Sequence, residues 1–101
     1  MKLFVVTSLK ELLGDIAEVF KLANIDVFST SDIIGHKEPK ATNLLEDWFA
    51  SGGEEADSIM IFTFTSEANA EYGLKLISDY NKNRQGNFPV RAFVLPVEKS
   101  V

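Results

Sequence analysis

Basic residues gather near the end of the chain around a polar turn that contains a glycine. The group consists of Lys82, Arg84, Gly86, Asn87 and Arg91. Backbone amides beside a glycine can cradle a phosphate, and an arginine can pair with it through two parallel hydrogen bonds. The same residues are also typical of a solvated helix-to-strand connection, because Asn and Gly are common turn residues. These five positions are therefore candidate anion-binding residues, with an ordinary turn as the alternative.

A second polar stretch, which we call the excursion (residues 35–56), interrupts the apolar pattern in the middle of the chain. Gly35 either lets a ligand approach the backbone or simply permits the bend. Within the excursion stand Leu44, Leu45, Trp48 and Phe49. Tryptophan is common among interface anchors, which favours a partner-docking helix over residues 43–49. The alternative is that these side chains fold back onto their own subunit, because exposed apolar patches promote aggregation.

His36 is the only histidine, and acidic residues return at Glu54, Glu55 and Asp57. Imidazole and carboxylate together suit several divalent ions, so a metal site at His36 is one hypothesis. A solvated loop histidine is the other, since no second histidine accompanies it. With one histidine and no cysteine, few nucleophile–base pairs are available, and we expect a binding protein rather than an enzyme.

Composition narrows the class of protein. The chain has 101 residues, which fits one domain over residues 1–101. A net charge of −5 argues against sequence-independent nucleic-acid binding, which depends on lysines and arginines. The absence of cysteine excludes disulfides and thiolate metal sites. No stretch approaches the roughly 20 apolar residues of a membrane span, and we expect a cytoplasmic protein without membrane insertion.

Hydrophobic periodicity predicts the elements that must position these residues. We expect strands at residues 3–6, 26–34, 58–65 and 90–95. A first helix with an apolar face follows Ser8, which forms a capping box with Glu11. A second helix begins after Ser66, a good N-cap residue.

This order predicts an α+β, ferredoxin-like βαββαβ sandwich with a long loop between strands two and three. Right-handed crossovers place the first and third strands in the centre of the sheet. Phe, Met and Ile are abundant on the two central strands taken together, although no helix is available to cover the second face. A bare apolar sheet face suggests assembly into a homo-oligomer.

With these residues laid out, the chain resembles the P-II nitrogen-regulatory proteins and their P-II-like relatives. The element order spans nearly all of the chain, and a long loop leaves just after a strand that ends at Gly35. The end of the chain, residues 93–98, reads Phe-Val-Leu-Pro-Val-Glu and is similar to the closing F-V-x-P-V-E of the family. The excursion contains no tyrosine, so the uridylylation known in some members has no acceptor here, and we expect a divergent member.

The resemblance implies a trimer in which three sheets pack with their bare faces inward. Family members bind adenine nucleotides in clefts between subunits, and their long loop docks onto a protein partner such as a membrane transporter. For this chain it implies signal transduction by binding, without turnover. Relatives of the CutA type share the architecture and are linked to tolerance of divalent cations. A metal-binding protein that uses His36 is therefore the alternative function.

Overall fold

The computed structural model describes residues 1–36, 57–84 and 88–101. Its elements in chain order are β1 (Lys2–Leu9), α1 (Leu13–Leu22), β2 (Ser29–Ile33), β3 (Ser58–Thr65), α2 (Glu67–Asn83) and β4 (Arg91–Pro96). A short 3-10 turn, Lys10–Leu12, leads from β1 into α1. The predicted βαββαβ order is confirmed.

The four strands form one antiparallel sheet in the order β2-β3-β1-β4. Val6 lies at the middle of β1 and pairs with Ile61 of β3 on one side and Ala92 of β4 on the other. The first and third strands are therefore central, as predicted from the handedness of the crossovers.

Both helices pack on one face of the sheet, where the core lies. Phe4 and Val6 of β1 are fully buried there, together with Phe20 of α1. The rings of Phe4 and Phe20 have centroids 5.4 Å apart, and Phe28 meets Phe20 edge-on at 5.1 Å. Aromatic pairs at these distances contribute about 0.5–1.5 kcal/mol beyond the area that they bury.

The predicted start of the first helix is wrong. Ser8 belongs to β1, where it pairs with Ile59 and is fully buried, and its hydroxyl donates to the carbonyl of Leu9 at 3.0 Å. The ladder between β1 and β3 continues to Leu9, so strand pairing outweighs the local capping signal at Ser8. Helix α1 instead begins at Leu13, after the 3-10 turn, without a side-chain cap.

The other boundaries lie closer to expectation. Ser66 caps α2 as predicted, because its hydroxyl accepts from the amide of Asn69 at 3.1 Å. Strand β3 spans the predicted residues, while β2 is shorter than predicted. The segment before β2 is held by a side chain instead of a ladder, since the Thr63 hydroxyl donates to the carbonyl of Val27 at 2.6 Å.

The second face of the sheet carries the residues that alternate with the core positions. No element of the described chain covers it, and we call it the uncovered sheet face. Its members are Leu3, Val5, Thr7 and Leu9 of β1, Ser29, Ser31 and Ile33 of β2, Ser58, Met60, Phe62 and Phe64 of β3, and Arg91, Phe93 and Leu95 of β4. Phe64 and Leu95, at one end of this face, are 57% and 43% exposed, whereas Thr7 and Ser58, toward the other end, are buried at 0% and 3%. The face is therefore largely apolar, and Arg91 is its single charged residue among these strands.

Within residues 1–36, 57–84 and 88–101, no helix combines the length and the apolar character that crossing a bilayer requires.

Candidate functional site

The excursion leaves and re-enters the fold at one end of the sheet, which we call the loop end. There Ser58 pairs with Leu9 of β1 on one side and Ile33 of β2 on the other. Gly35 follows two residues after β2 and is buried, and His36 beside it is exposed. The strands thus place both predicted residues at the base of the excursion.

Lys10 contacts both ends of the excursion. Its backbone amide donates to the carbonyl of Asp57 at 2.9 Å, and its ammonium lies 3.1 Å from Oδ2 of Asp32. Both side chains of the ion pair are mostly exposed, so the pair contributes at most about 1 kcal/mol. Lys10 therefore links the 3-10 turn to both chain segments that flank the excursion.

The metal hypothesis gains no support from the loop end. Across the described residues, no three His, Cys, Asp or Glu side chains lie together in a group that could hold an ion. Glu54 and Glu55, which the hypothesis also invoked, lie outside the described residues. His36 lies at the base of the excursion, as the metal hypothesis requires, but no group of metal ligands is identified around it among the described residues.

Arg84 lies at the C-terminal cap of α2 in the helix layer. Its guanidinium Nη1 donates to the carbonyl of Phe88 at 2.8 Å. Lys82, two residues earlier, is exposed. The two cations therefore stand at the start of the predicted anion-binding turn, while Gly86 and Asn87 lie outside the described residues.

Arg91 does not share a surface with Arg84. It pairs with Thr7 at the start of β4, and the residues that alternate with it, Ala92 and Val94, pack against the core. Arg91 therefore belongs to the uncovered sheet face, on the other side of the sheet from the helix layer. The sequence placed both arginines near one turn, whereas strand alternation separates them.

Gly35 and Arg91 also lie at opposite edges of the sheet. Because β2 and β4 are the two edge strands, three strand spacings separate them, or about 14 Å at 4.8 Å per spacing. The predicted partner-docking residues, Leu44, Leu45, Trp48 and Phe49, lie outside the described residues.

Asn81 was not predicted to take part in the site. Its carboxamide Nδ2 donates to the carbonyl of Val90 at 2.8 Å, and its Oδ1 accepts from the Val90 amide at 2.9 Å. The side chain thus pairs with both polar groups of a buried residue across the α2–β4 connection. The residue types around Asn81 and Val90 do not predict this contact, because the Asn81 carboxamide and the Val90 backbone can each form hydrogen bonds with water instead.

Next to Asn81 in the sequence, Tyr80 connects the two helices. Its hydroxyl donates to Oδ2 of Asp15 on α1 at 2.7 Å. Burial, the hydrogen bond to Asp15 and the negative charge of that carboxylate raise the pKa of Tyr80 to about 12, although Arg84 acts in the opposite direction. The C-terminal part of α2 is therefore anchored to both α1 and the segment before β4.

A groove of about 370 Å³ lies at the other end of the sheet, away from the excursion. Residues 24–29, before and at the start of β2, form one wall, and residues 62–65 of β3 form the other. Asn69 supports the first wall, since its amide Nδ2 lies 3.5 Å from the carbonyl of Asn24 and 3.3 Å from Oγ1 of Thr65. The sequence signal was Thr63, a polar residue on the core face of an apolar strand.

Of the comparisons with known proteins, the one with solved structures finds a match. No family model matches the chain, and no curated protein sequence does. Among solved structures, the chain is similar to a crystal structure described as a PII-like signaling protein from Thermus thermophilus. The TM-score is 0.64 and the identity 17%, over 92% of this chain and 80% of that one. The chain therefore has the P-II-like form of the ferredoxin-like fold, which the resemblance in its sequence predicts.

Proposed function

We propose that this protein is a P-II-like regulator that works by binding, without turnover. It assembles as a homotrimer in the cytoplasm, and residues 35–56 dock onto a protein partner such as a membrane transporter. An adenine nucleotide in a cleft between subunits biases that docking. The observation that carries the proposal is the uncovered sheet face, on a fold that a PII-like signaling protein shares.

The uncovered sheet face supports the trimer because its apolar side chains are exposed at the end away from the excursion. Phe64 and Leu95, on either side of Leu3, leave about half of their surface in water, and Phe62 and Phe93, on either side of Val5, are half-buried. Burial stabilises association by roughly 25 cal/mol for each Å² of apolar surface removed from water. Packing this face against two other copies removes the largest apolar exposure of the sheet.

The placement of candidate ligand groups supports a cleft shared between subunits. Gly35 and Arg84 lie at the loop end, while the 370 Å³ groove lies at the other end of the same sheet. The length of β3, roughly 23 Å at 3.3 Å per residue, separates the groove from the loop end within one chain. Two neighbouring subunits can supply one each.

Oligomer mass tests the trimer through a matched pair of variants. Leu95→Glu places a charge on the uncovered sheet face, and Leu22→Glu places the same charge at the end of α1, where Leu22 is 62% exposed. Native mass spectrometry should find trimers in the wild type and Leu22→Glu, and monomers in Leu95→Glu. Monomeric wild-type protein would reject the proposed assembly.

Ligand binding is tested in the same instrument. ATP, ADP, cyclic AMP and divalent ions are added separately, and we expect one ATP or ADP for each subunit. Arg84→Ala should weaken the binding by about tenfold, since it removes a charge-assisted pairing. Uptake of a divalent ion alone, lost in His36→Ala, would favour the CutA-like metal function instead.

Partner docking is tested by deleting residues 43–49. A transporter or enzyme captured by the wild-type trimer should no longer be captured, and the trimer mass should fall only by the deleted residues. Capture that survives the deletion would rule out docking through Leu44, Leu45, Trp48 and Phe49.

A further inference from the structure

Two side chains at the C-terminal end of α2 form hydrogen bonds with the backbone of the segment that precedes β4. Asn81 pairs with both backbone groups of Val90, and Arg84 donates to the carbonyl of Phe88. Residues 88 and 90 are thus held by two side chains that lie three residues apart at the end of one helix. Asn81 belongs to the last turn of α2, and Arg84 is its C-cap residue, where the backbone is extended.

The geometry points to Asn81 as a positioning residue that places the Arg84 guanidinium for an oxyanion such as a phosphate group. This inference rests on the proposed effector binding and names a residue on which it depends. Val90 is 2% exposed and belongs to the core, so Asn81 connects the start of β4 to α2. Phe88, two residues before Val90, then offers its carbonyl at a fixed place to Arg84.

An arginine held in this way loses less conformational entropy when an anion binds. A long, freely rotating side chain loses rotamer entropy when a ligand immobilises it, and this loss weakens binding. The Phe88 carbonyl already orients the guanidinium, which carries five N–H donors and gives one of them to Phe88. The remaining donors project from a preorganised fork, which suits the paired oxygens of a phosphate.

Asn81→Asp is the sharpest test of this role. The substituted carboxylate can still accept from the Val90 amide, but it faces the Val90 carbonyl with an oxygen instead of a donor. Asn83→Asp is the matched control, because it adds the same charge at the exposed last residue of α2. Isothermal titration with ATP, inorganic triphosphate and adenosine then separates phosphate binding from base binding.

We expect Asn81→Asp to weaken triphosphate and ATP by about tenfold relative to Asn83→Asp, with adenosine unchanged, because the Arg84 guanidinium would no longer be oriented before the anion binds. In an Arg84→Ala background, Asn81→Asp should have no further effect on triphosphate, because the two residues act through one guanidinium. A merely structural role would lower the melting temperature and leave this coupling at zero.

Three outcomes overturn the inference. Equal triphosphate affinity in Asn81→Asp and Asn83→Asp rejects Asn81 as a positioning residue and leaves the proposed function in place. Independent, multiplying effects of Asn81→Asp and Arg84→Ala reject the route through Arg84. A wild-type protein that binds neither ATP nor triphosphate rejects effector binding itself, and the positioning role with it.

Discussion

Helix α2 approaches the sheet so closely at Gly73 that a side chain there would collide with Phe4. A Cβ built on Gly73 stands 2.8 Å from Cε2 of the Phe4 ring and 3.0 Å from its Cζ. Phe4 is fully buried and in contact with Phe20, so its ring has little room to move. The distance between the helix layer and the central strand is therefore set by the absence of a side chain.

Gly73→Ala should destabilise the protein despite the better helix propensity of alanine. Overpacking costs about 1–3 kcal/mol, whereas replacing a helical glycine with alanine returns up to about 1 kcal/mol. Gly14 in α1 is the control, because a Cβ there meets nothing within 4 Å. Urea denaturation should place the midpoint of Gly73→Ala below that of the wild type and the midpoint of Gly14→Ala at or above it.

Ser66→Ala should cost about 1 kcal/mol of unfolding free energy, because it removes the acceptor for the Asn69 amide in the first turn of α2. Ser78→Ala, at an exposed position inside the same helix, removes a hydroxyl without a capping role and should be neutral or slightly stabilising. Equal losses in both variants, measured by urea denaturation, would contradict the capping role.

Asn24 adopts a left-handed conformation, with φ of 62°. Glycine adopts this conformation without strain, whereas for alanine it costs about 1–2 kcal/mol of conformational energy. Asn24→Ala should therefore lower the melting temperature, and Asn24→Gly should leave it near the wild-type value. Since both variants remove the same carboxamide, equal losses would instead assign the effect to the side chain.

The burial of Tyr80 and its hydrogen bond to Asp15 predict a change of stability at alkaline pH. The pKa of Tyr80 is raised from its ordinary value of 10.0 to about 12, so the folded state favours the neutral phenol. That stabilisation is complete below pH 10 and is lost as the pH rises from 10 to 12. Absorbance titration in a Tyr72→Phe background isolates Tyr80, and Asp15→Asn should lower its midpoint. A midpoint near 10 in both proteins would contradict the contact.

Much of the fold follows from the sequence because its strands are strongly patterned. In β3, Ile59 and Ile61 face the core while Met60 and Phe62 face away, and both faces are apolar, as in a central strand. The prediction at Ser8 was wrong because the local sequence fits both a helix N-cap and a strand residue. The partner strand, β3, lies far away in the chain and leaves no local signal. Only the ladder with β3 decides between them.

The candidate site was less predictable than the fold. Alternation along β4 already separates Arg91 from the core positions Ala92 and Val94, so its face was accessible from the sequence. The double hydrogen bond of Asn81 was not, because it needs the Val90 backbone to arrive beside α2. Contacts between a side chain and a remote backbone leave no pattern in residue types.

The strand order has a consequence for the nascent chain. β1 is made first, yet no residue of it finds a sheet partner until Ser58 has been synthesised, and its pairing with β4 waits for Arg91. Through most of translation, Phe4 and the other apolar residues of β1 therefore lack both of the strands with which they pair, β3 and β4. Because such distant pairings form slowly and leave apolar segments open to aggregation, the first strand of this protein is where we expect chaperones to bind during synthesis.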